Sequence, residues 1–227
     1  GSYRFDGDDA LTLEPAERIS ADEFLGQHGA TLPDDYLCAN VRFAHYAGGY
    51  EEEITGLAEL FDRLVGAADL PLIFVSMSET PECNDATSAT QVVEQMARHE
   101  RCCVLDAAPH PAQAKALAAG ARACVALSYH FAVFALSSAV PAVMLYRGGY
   151  YTGKMQGLAD CFGVPELAVH LEELGNESTG RLLDRLAARP DAWTEQLNAA
   201  TARMTEAIGR TRREEAEHIL SQLAGRT

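Results

Sequence analysis

The strongest candidate for a reactive side chain is a histidine at a predicted strand-to-helix junction. His130 follows the apolar run 124–127 and precedes a helical pattern that begins at Phe131. Ser128 and Tyr129 belong to the same junction. A helix amino terminus favours bound anions, and an imidazole there is placed to exchange protons with a substrate. A structural histidine, buried and bound to a backbone carbonyl, would explain the position equally well, so both interpretations stay open.

Two cationic side chains occupy comparable junctions. Asn40 and Arg42 close the first predicted strand, and the guanidinium of Arg42 could grip a carboxylate or phosphate with two parallel hydrogen bonds. The alternative for Arg42 is an ion pair with the glutamates at 51–53. Lys154 lies at the predicted amino end of another helix, where an ammonium gains nothing from the helix dipole. A bound anion would explain a cation at that place.

The elements that must position these side chains alternate along the chain. Short runs that are apolar throughout predict strands buried on both faces, as in a parallel sheet. The predicted strands are 36–43, 70–77, 102–106, 124–127, 142–146 and 168–171, and the main predicted helices are 21–27, 51–68, 87–99, 111–119, 131–138, 178–188 and 192–223. We therefore predict an α/β fold with a doubly wound, mostly parallel sheet and a long carboxyl-terminal helix. In such folds ligands bind at the carboxyl ends of the strands.

Composition limits the classes of protein to consider. With 227 residues, 48% of them hydrophobic, the chain is long enough for one large domain, which we predict. A formal net charge of -15 repels phosphate backbones, so no nucleic acid partner is expected. No run of ~20 uninterrupted apolar residues is present, so no membrane span is expected. Six cysteines without a CxxC pair predict buried thiols, no metal site and a cytoplasmic location.

One stretch combines several of these residues in a characteristic order. Within 118–166, His130 ends a strand and an alanine-rich helix follows it. Tyr146 and Lys154 come next, and Gly163-Val164-Pro165 closes the block. In this order the block resembles the signature region of the polysaccharide pyruvyltransferase family. Upstream, two further segments are similar to motifs of that family, namely Ala39-Asn40-Val41-Arg42 and Gly7-Asp8-Asp9-Ala10-Leu11.

The resemblance implies a two-lobed, GT-B-like fold. This chain would carry the Rossmann-like carboxyl-terminal lobe at 34–227, preceded by an entry or linker segment at 1–33. The amino-terminal, acceptor-binding lobe would then belong to a longer protein.

The resemblance also implies a reaction. Enzymes of the family move a pyruvyl group from phosphoenolpyruvate onto two hydroxyls of a saccharide, forming a ketal during polysaccharide or glycoconjugate biosynthesis. The expected partners are therefore phosphoenolpyruvate and a saccharide acceptor, with no cofactor. His130 would act as the general acid. The residues expected to bind substrate are Arg42, Asn40, Ser128, Tyr129, Lys154 and Arg147.

One position departs from the family. Where its members usually carry arginine two residues before the histidine, this chain has Ser128, whose hydroxyl cannot replace a bidentate anion clamp. Either Arg147 or Lys154 compensates for the loss, or the donor differs, or the domain has lost activity.

Two other functions stay open on the sequence. A GT-B-type glycosyltransferase would use the same strand ends to hold a nucleotide-sugar diphosphate. A non-catalytic binding or assembly module would fit both the serine at position 128 and the absent lobe.

Overall fold

The computed structural model describes residues 8–43 and 51–224. Gly7 of the upstream motif lies outside these ranges, as does the rest of the segment before Asp8. The strands are β1 (Leu37–Asn40), β2 (Leu72–Phe74), β3 (Glu79–Thr80), β4 (Cys83–Asn84), β5 (Cys102–Val104), β6 (Ala123–Ala126), β7 (Ala142–Tyr146) and β8 (Ala168–His170). The α-helices are α1 (Arg18–Gln27), α2 (Glu51–Ala68), α3 (Asp85–Val93), α4 (Pro111–Gly120), α5 (Tyr129–Ser137), α6 (Gly149–Phe162), α7 (Glu177–Ala188) and α8 (Thr194–Ala224).

Six of the strands form one parallel sheet in the order β5-β2-β1-β6-β7-β8. Every neighbouring pair is parallel, and all residues of β1, β2, β6 and β7 are buried. The parallel sheet predicted from uniformly apolar runs is therefore confirmed. The chain moves outward from β1 to β5 on one side, then returns to start β6 on the other side of β1. The strand order thus reverses between β1 and β6, where open α/β sheets place their ligands.

The helices fall into two groups by their contacts. On one side α2 contacts α3 and α7, whereas α4, α5, α6 and α8 form a second group in which α5 contacts each of the others. Right-handed crossovers from a strand order of this kind put the two groups on opposite faces of the sheet. The doubly wound, Rossmann-like architecture follows, and α8 provides the long carboxyl-terminal helix.

The amino-terminal segment packs on the second group of helices. Its helix α1 contacts α4, and Leu11, Ala21 and Leu25 are buried in the common hydrophobic core. A 3-10 turn at Asp9–Thr12 contacts both α5 and α8. The described part of the entry segment therefore contributes to the same core as the sheet, while the domain boundary at residue 33 stays a prediction.

Several element boundaries differ from those predicted. The hairpin β3–β4 was missed, and α3 begins at Asp85, two residues before the predicted start. Asn84 explains that start, because its side chain accepts a hydrogen bond from the backbone of Thr87 at 2.9 Å and so caps the helix. The helix α5 likewise begins at Tyr129, two residues early, so His130 is inside its first turn rather than in front of it.

Candidate functional site

The sheet brings the two main candidate junctions to one edge. β1 and β6 are neighbours in register from Leu37 to Asn40, and the backbone of Leu127 donates to the carbonyl of Asn40 at 3.1 Å. The residues that leave β1 and those that leave β6 therefore emerge side by side at the strand-order reversal. Both exits therefore lie at the carboxyl edge of the sheet, as the predicted parallel strands require.

A buried carboxylate organises the exit from β1. Asp85, at the start of α3, is 1% exposed, and Asn40 is fully buried. Arg42 donates to both carboxylate oxygens of Asp85 at 2.9 Å, and the amide of Asn40 donates to it at 2.8 Å. The backbone of Met77 adds a further donor to Asp85 at 2.8 Å. One carboxylate of α3 thus holds in place both candidate side chains at the end of β1, Asn40 and Arg42, and also binds the backbone after β2.

Asp85 also stabilises the charged form of its partner. Burial opposes the positive charge of Arg42, but the hydrogen bonds and the charge of Asp85 outweigh it, so the pKa of Arg42 is raised. Cys83 and Tyr151 are close enough to Arg42 to add to this effect when ionised. Tyr151 belongs to α6, so its position brings the start of that helix to the β1 exit.

The partner of Arg42 differs from the alternative considered on the sequence. Arg42 pairs with Asp85, whereas Glu53 pairs with Arg147 at 2.6 Å. Asp85 was missed because an acidic residue after a turn ordinarily indicates a solvated helix start. Its only sequence signal is the capping residue Asn84 directly before it. The two hydrogen bonds to Asp85 use one edge of the guanidinium, and its remaining N–H groups are directed away from that carboxylate.

His130 is accessible from solvent. Its side chain is 62% exposed, so the interpretation as a buried structural histidine is wrong. Its Nε2 atom lies 3.8 Å from the carboxylate of Asp8, which is itself 24% exposed. That separation exceeds hydrogen-bond length but keeps a negative charge beside the imidazole. Asp8 also makes a local contact, since its Oδ1 accepts a hydrogen bond from the backbone of Ala10 at 2.9 Å.

The first turn of α5 contains His130 and begins at a buried residue. Ser128 caps this helix and is 3% exposed, but its side chain makes no capping hydrogen bond. The backbone N–H groups of the first turn, which include His130, have no carbonyl of their own helix to bind. They favour negative charge at the helix start.

A cavity of about 480 Å³ lies between α5, α6, α8 and the turn at Asp9–Thr12, and His130 is not among the residues that line it. It is lined by Asp8, Leu11, Tyr129, Val133, Gly153, Lys154, Gly157, Leu158, Cys161 and Met204. The ammonium of Lys154 lies 5.5 Å from the centre of the Tyr129 ring. Burial, with smaller contributions from Asp8 and Cys161, raises the pKa of Tyr129, so its phenol stays protonated at neutral pH.

The position of Lys154 corrects one step of the sequence argument. The helix α6 begins at Gly149, so Lys154 lies in its second turn and not at its amino end. The influence of the helix dipole is confined to the first turn, so it no longer indicates an anion at Lys154. What the structure does show is that Lys154 and Tyr129 face the same cavity.

A buried lysine holds the turn that carries Asp8. Lys115 is 3% exposed, and its Nζ donates to the carbonyls of Ala10 and Leu11 at 3.3 and 3.1 Å. Burial lowers the pKa of Lys115. Arg212 on α8 pairs with Asp9 at the other side of the turn. The burial of Lys115 was not predictable from the sequence, since nothing in an alanine-rich helix marks one lysine as buried.

Arg147 lies in a different environment. It is paired with Glu53 and lines a second cavity of about 430 Å³, together with Glu59 and Glu172. The structure therefore groups Asn40 with Arg42, groups Tyr129 with Lys154, and leaves Arg147 among carboxylates.

Within residues 8–43 and 51–224, no group of three or more His, Cys, Asp or Glu side chains is placed to hold a metal ion. Across the same residues no helix has both the length and the apolar character needed to span a bilayer.

Comparison with known proteins identifies the family. No curated protein matches the chain with significant similarity. A comparison with protein families matches residues 5–149 to polysaccharide pyruvyl transferase. The match covers more than half of the chain and includes the exits of both β1 and β6, with Asp8, Arg42 and His130. The chain therefore belongs to the polysaccharide pyruvyl transferase family.

Proposed function

We propose that the protein transfers a pyruvyl group from phosphoenolpyruvate to two hydroxyls of a saccharide, forming a cyclic ketal. Family membership supports the reaction class. The observation that carries the assignment of the site is the exposed imidazole of His130, which lies at the strand-order reversal with a carboxylate 3.8 Å away. We place the reaction in the cytoplasm, where the six free cysteines of the chain stay reduced.

The chemistry requires a proton donor at carbon. The protonated His130 gives its proton to C3 of the enol, which becomes a methyl group, and the first saccharide hydroxyl adds to C2. The second hydroxyl then displaces the phosphate at C2 and closes the ketal ring. One hydroxyl proton restores His130 and the other leaves with inorganic phosphate, so the protons balance. The carboxylate of Asp8 lies 3.8 Å from the imidazole during this transfer.

Other residues of the site bind the anionic phosphoenolpyruvate, which the net charge of -15 would otherwise repel. The N–H groups of Arg42 that Asp85 does not use bind the carboxylate or phosphate of phosphoenolpyruvate. The first turn of α5 adds backbone donors where arginine is replaced by Ser128. Asn40 acts indirectly, since its amide is committed to Asp85 and to the carbonyl of Val75 at 2.9 Å. A second lobe from a longer protein would complete the GT-B arrangement.

Replacement of the histidine tests the proposal. In the complete protein with both lobes, His130→Ala should lower turnover at least ~100-fold, the usual contribution of a general acid. Turnover is measured as phosphate released from phosphoenolpyruvate, with mass spectrometry to detect an acceptor that has gained one pyruvate less one water. The matched control is His218→Ala, which removes an exposed histidine from α8. Both variants should unfold at the wild-type temperature.

Two results would contradict the proposal. Unchanged turnover in His130→Ala would remove the histidine from the chemistry. Calorimetric binding of a uridine or guanosine diphosphate sugar, without competition from phosphoenolpyruvate, would favour a glycosyltransferase instead.

A further inference from the structure

The amino terminus of α5 carries hydrogen-bond donors that the helix itself does not use. The first hydrogen bond within this helix runs from the backbone N–H of Ala132 to the carbonyl of Ser128, at 3.1 Å. The N–H groups of Tyr129, His130 and Phe131 precede that bond and have no carbonyl of α5 to bind. They point towards the exit of β6, where they favour an anion.

A hydroxyl without a hydrogen bond lies at the same place. Ser128 is the capping residue of α5 and is 3% exposed, yet its hydroxyl neither caps the helix nor pairs with another described group. Within residues 8–43 and 51–224, the unpaired side-chain oxygens that are sealed from solvent belong to Asn40 and Thr201. The hydroxyl of Ser128 is not among them, so it is open to solvent. Because a serine at this position ordinarily caps its helix, a hydroxyl that does not do so is available to a ligand.

The neighbouring exit of β1 offers a second set of donors. Asp85 binds the Nε atom and one Nη atom of Arg42, which leaves the edge formed by the two Nη atoms of the guanidinium. The strands β1 and β6 are in register, and hydrogen-bonded neighbours of this kind lie about 4.8 Å apart. Phosphoenolpyruvate carries its carboxylate and its phosphate on the same carbon atom, so two adjacent exits can hold the two groups.

We propose that the first turn of α5 and the hydroxyl of Ser128 bind the phosphate group of phosphoenolpyruvate, and that Arg42 binds its carboxylate. The inference rests on the proposed function and adds the orientation of the donor. Shape distinguishes the two groups. Several backbone N–H groups and a hydroxyl suit a tetrahedral phosphate with its three terminal oxygens. The edge of a guanidinium offers two parallel donors in one plane, which match a planar carboxylate.

The charge changes of the proposed reaction favour the same orientation. When the second hydroxyl displaces the phosphate, the bond from C2 to oxygen breaks and its electron pair stays with the phosphate. Negative charge therefore grows at the start of α5, where fixed N–H dipoles stabilise it. The carboxylate of Asp8 opposes an anion here, but it lies 3.8 Å from the Nε2 atom of His130, and the imidazolium of the proposed reaction offsets its charge.

Two replacements of Ser128 test the phosphate contact. Ser128→Ala removes the hydroxyl, and because this hydroxyl makes no capping bond, the urea midpoint of unfolding should not change. Ser128→Asp introduces a good capping residue that favours the helix start but repels phosphate, so stability should be retained while binding is lost. Arg42→Lys keeps a positive charge beside Asp85 but loses the planar two-donor edge. The matched control is Ser137→Ala at the other end of α5, where the hydroxyl donates to the carbonyl of Phe134 at 3.3 Å.

Calorimetry on the complete protein measures the affinity for phosphoenolpyruvate, alone and in competition with inorganic phosphate or pyruvate, each of which carries one of its two anionic groups. In Ser128→Ala the affinity for phosphate should fall at least ~10-fold, the effect of one hydrogen bond to a charged group, while the affinity for pyruvate is unchanged. Ser128→Asp should bind neither phosphate nor phosphoenolpyruvate. Arg42→Lys should bind pyruvate more weakly and phosphate as the wild type does. Ser137→Ala should match the wild type with every probe.

The outcomes separate this inference from the proposed function. Wild-type affinity for phosphate in Ser128→Ala would overturn the orientation, as would a loss of pyruvate binding in its place or a failure of inorganic phosphate to compete in the wild type. A lower urea midpoint in Ser128→Ala, with equal losses for both probes, would give Ser128 a structural role and refute its contact with phosphate. If phosphoenolpyruvate does not bind the wild type, the proposed function fails, whereas phosphate binding that depends on Ser128 would still support the anion site at α5.

Discussion

The Asp85–Arg42 pair allows the most demanding test of the structure. Asp85→Ala removes the carboxylate that accepts two hydrogen bonds from Arg42 and one each from Asn40 and the backbone of Met77. The variant leaves a guanidinium partly buried without its counter-charge. It also removes an acceptor from the fully buried amide of Asn40, which keeps the carbonyl of Val75.

The expected cost follows from burial. Removing one partner of a buried ion pair destabilises a protein by about 3–5 kcal/mol. The side chain of Arg42 is 25% exposed, so water can solvate part of the stranded charge, and we expect the lower end, about 3 kcal/mol. Asp85→Asn retains one oxygen acceptor and the shape of the side chain, so it should cost less, about 1.5–3 kcal/mol.

A surface pair provides the matched control. Arg63 and Asp184 form the same two-bond geometry, at 2.9 and 2.6 Å, but their side chains are 49% and 52% exposed. Asp184→Ala should therefore cost only about 0–1 kcal/mol. Because both pairs have the same two-bond geometry, the difference between the two unfolding free-energy losses measures the effect of burial.

The assay is urea unfolding followed by fluorescence of the single tryptophan, Trp193, which is 1% exposed in the folded protein. A double-mutant cycle with Arg42→Met should show a coupling energy of about 1–3 kcal/mol, because each single replacement strands the other partner. A cost for Asp85→Ala no larger than that for Asp184→Ala would refute the role of burial, and simple addition of the Asp85→Ala and Arg42→Met effects would refute the coupling.

Two further predictions concern the sheet and its supporting helices. A Cβ atom at Gly120 would lie 2.6 Å from the hydroxyl of Tyr36, so Gly120→Ala should destabilise the protein by about 1–3 kcal/mol, and adding Tyr36→Phe should restore part of the loss in urea unfolding. Gly26→Ala should show no such penalty, and equal effects of the two alanines would contradict the packing argument. Burial raises the pKa of Cys102 to about 12, so its contribution to stability is complete below the ordinary thiol pKa and is lost as pH rises toward 12. Unfolding free energies measured at increasing alkaline pH should fall less steeply in Cys102→Ala than in the wild type, by at most ~1.4 kcal/mol per pH unit, and parallel curves would reject this linkage.

The architecture was predictable because it depends on local pattern. Strands buried on both faces must be apolar at every position, and the runs at 124–127 and 142–146 meet that requirement over almost their full observed lengths. Errors occurred where one polar contact decides a boundary. The cap at Asn84 moves the start of α3, and the β3–β4 hairpin is too short to show any periodicity.

The candidate site was predictable only in part. The carboxyl ends of the predicted parallel strands identified Arg42 and His130 as candidates, and the structure adds that their strands are neighbours. The dipole argument for Lys154 failed because it needed the helix start to within one turn. The pairing of Arg42 with Asp85 could not be predicted, because the two residues are 43 positions apart and belong to different elements.

By itself the sequence determined the parallel sheet, the edge at which its strands end, and the family, since hydrophobic periodicity and motif order are properties of the chain. Only the tertiary structure decided that His130 is exposed beside Asp8, that Asp85 neutralises Arg42, and that Tyr129 and Lys154 share a cavity. The physical reason is that burial and charge pairing arise between segments distant in the chain. Their energies depend on separations of a few ångströms, which no local pattern encodes.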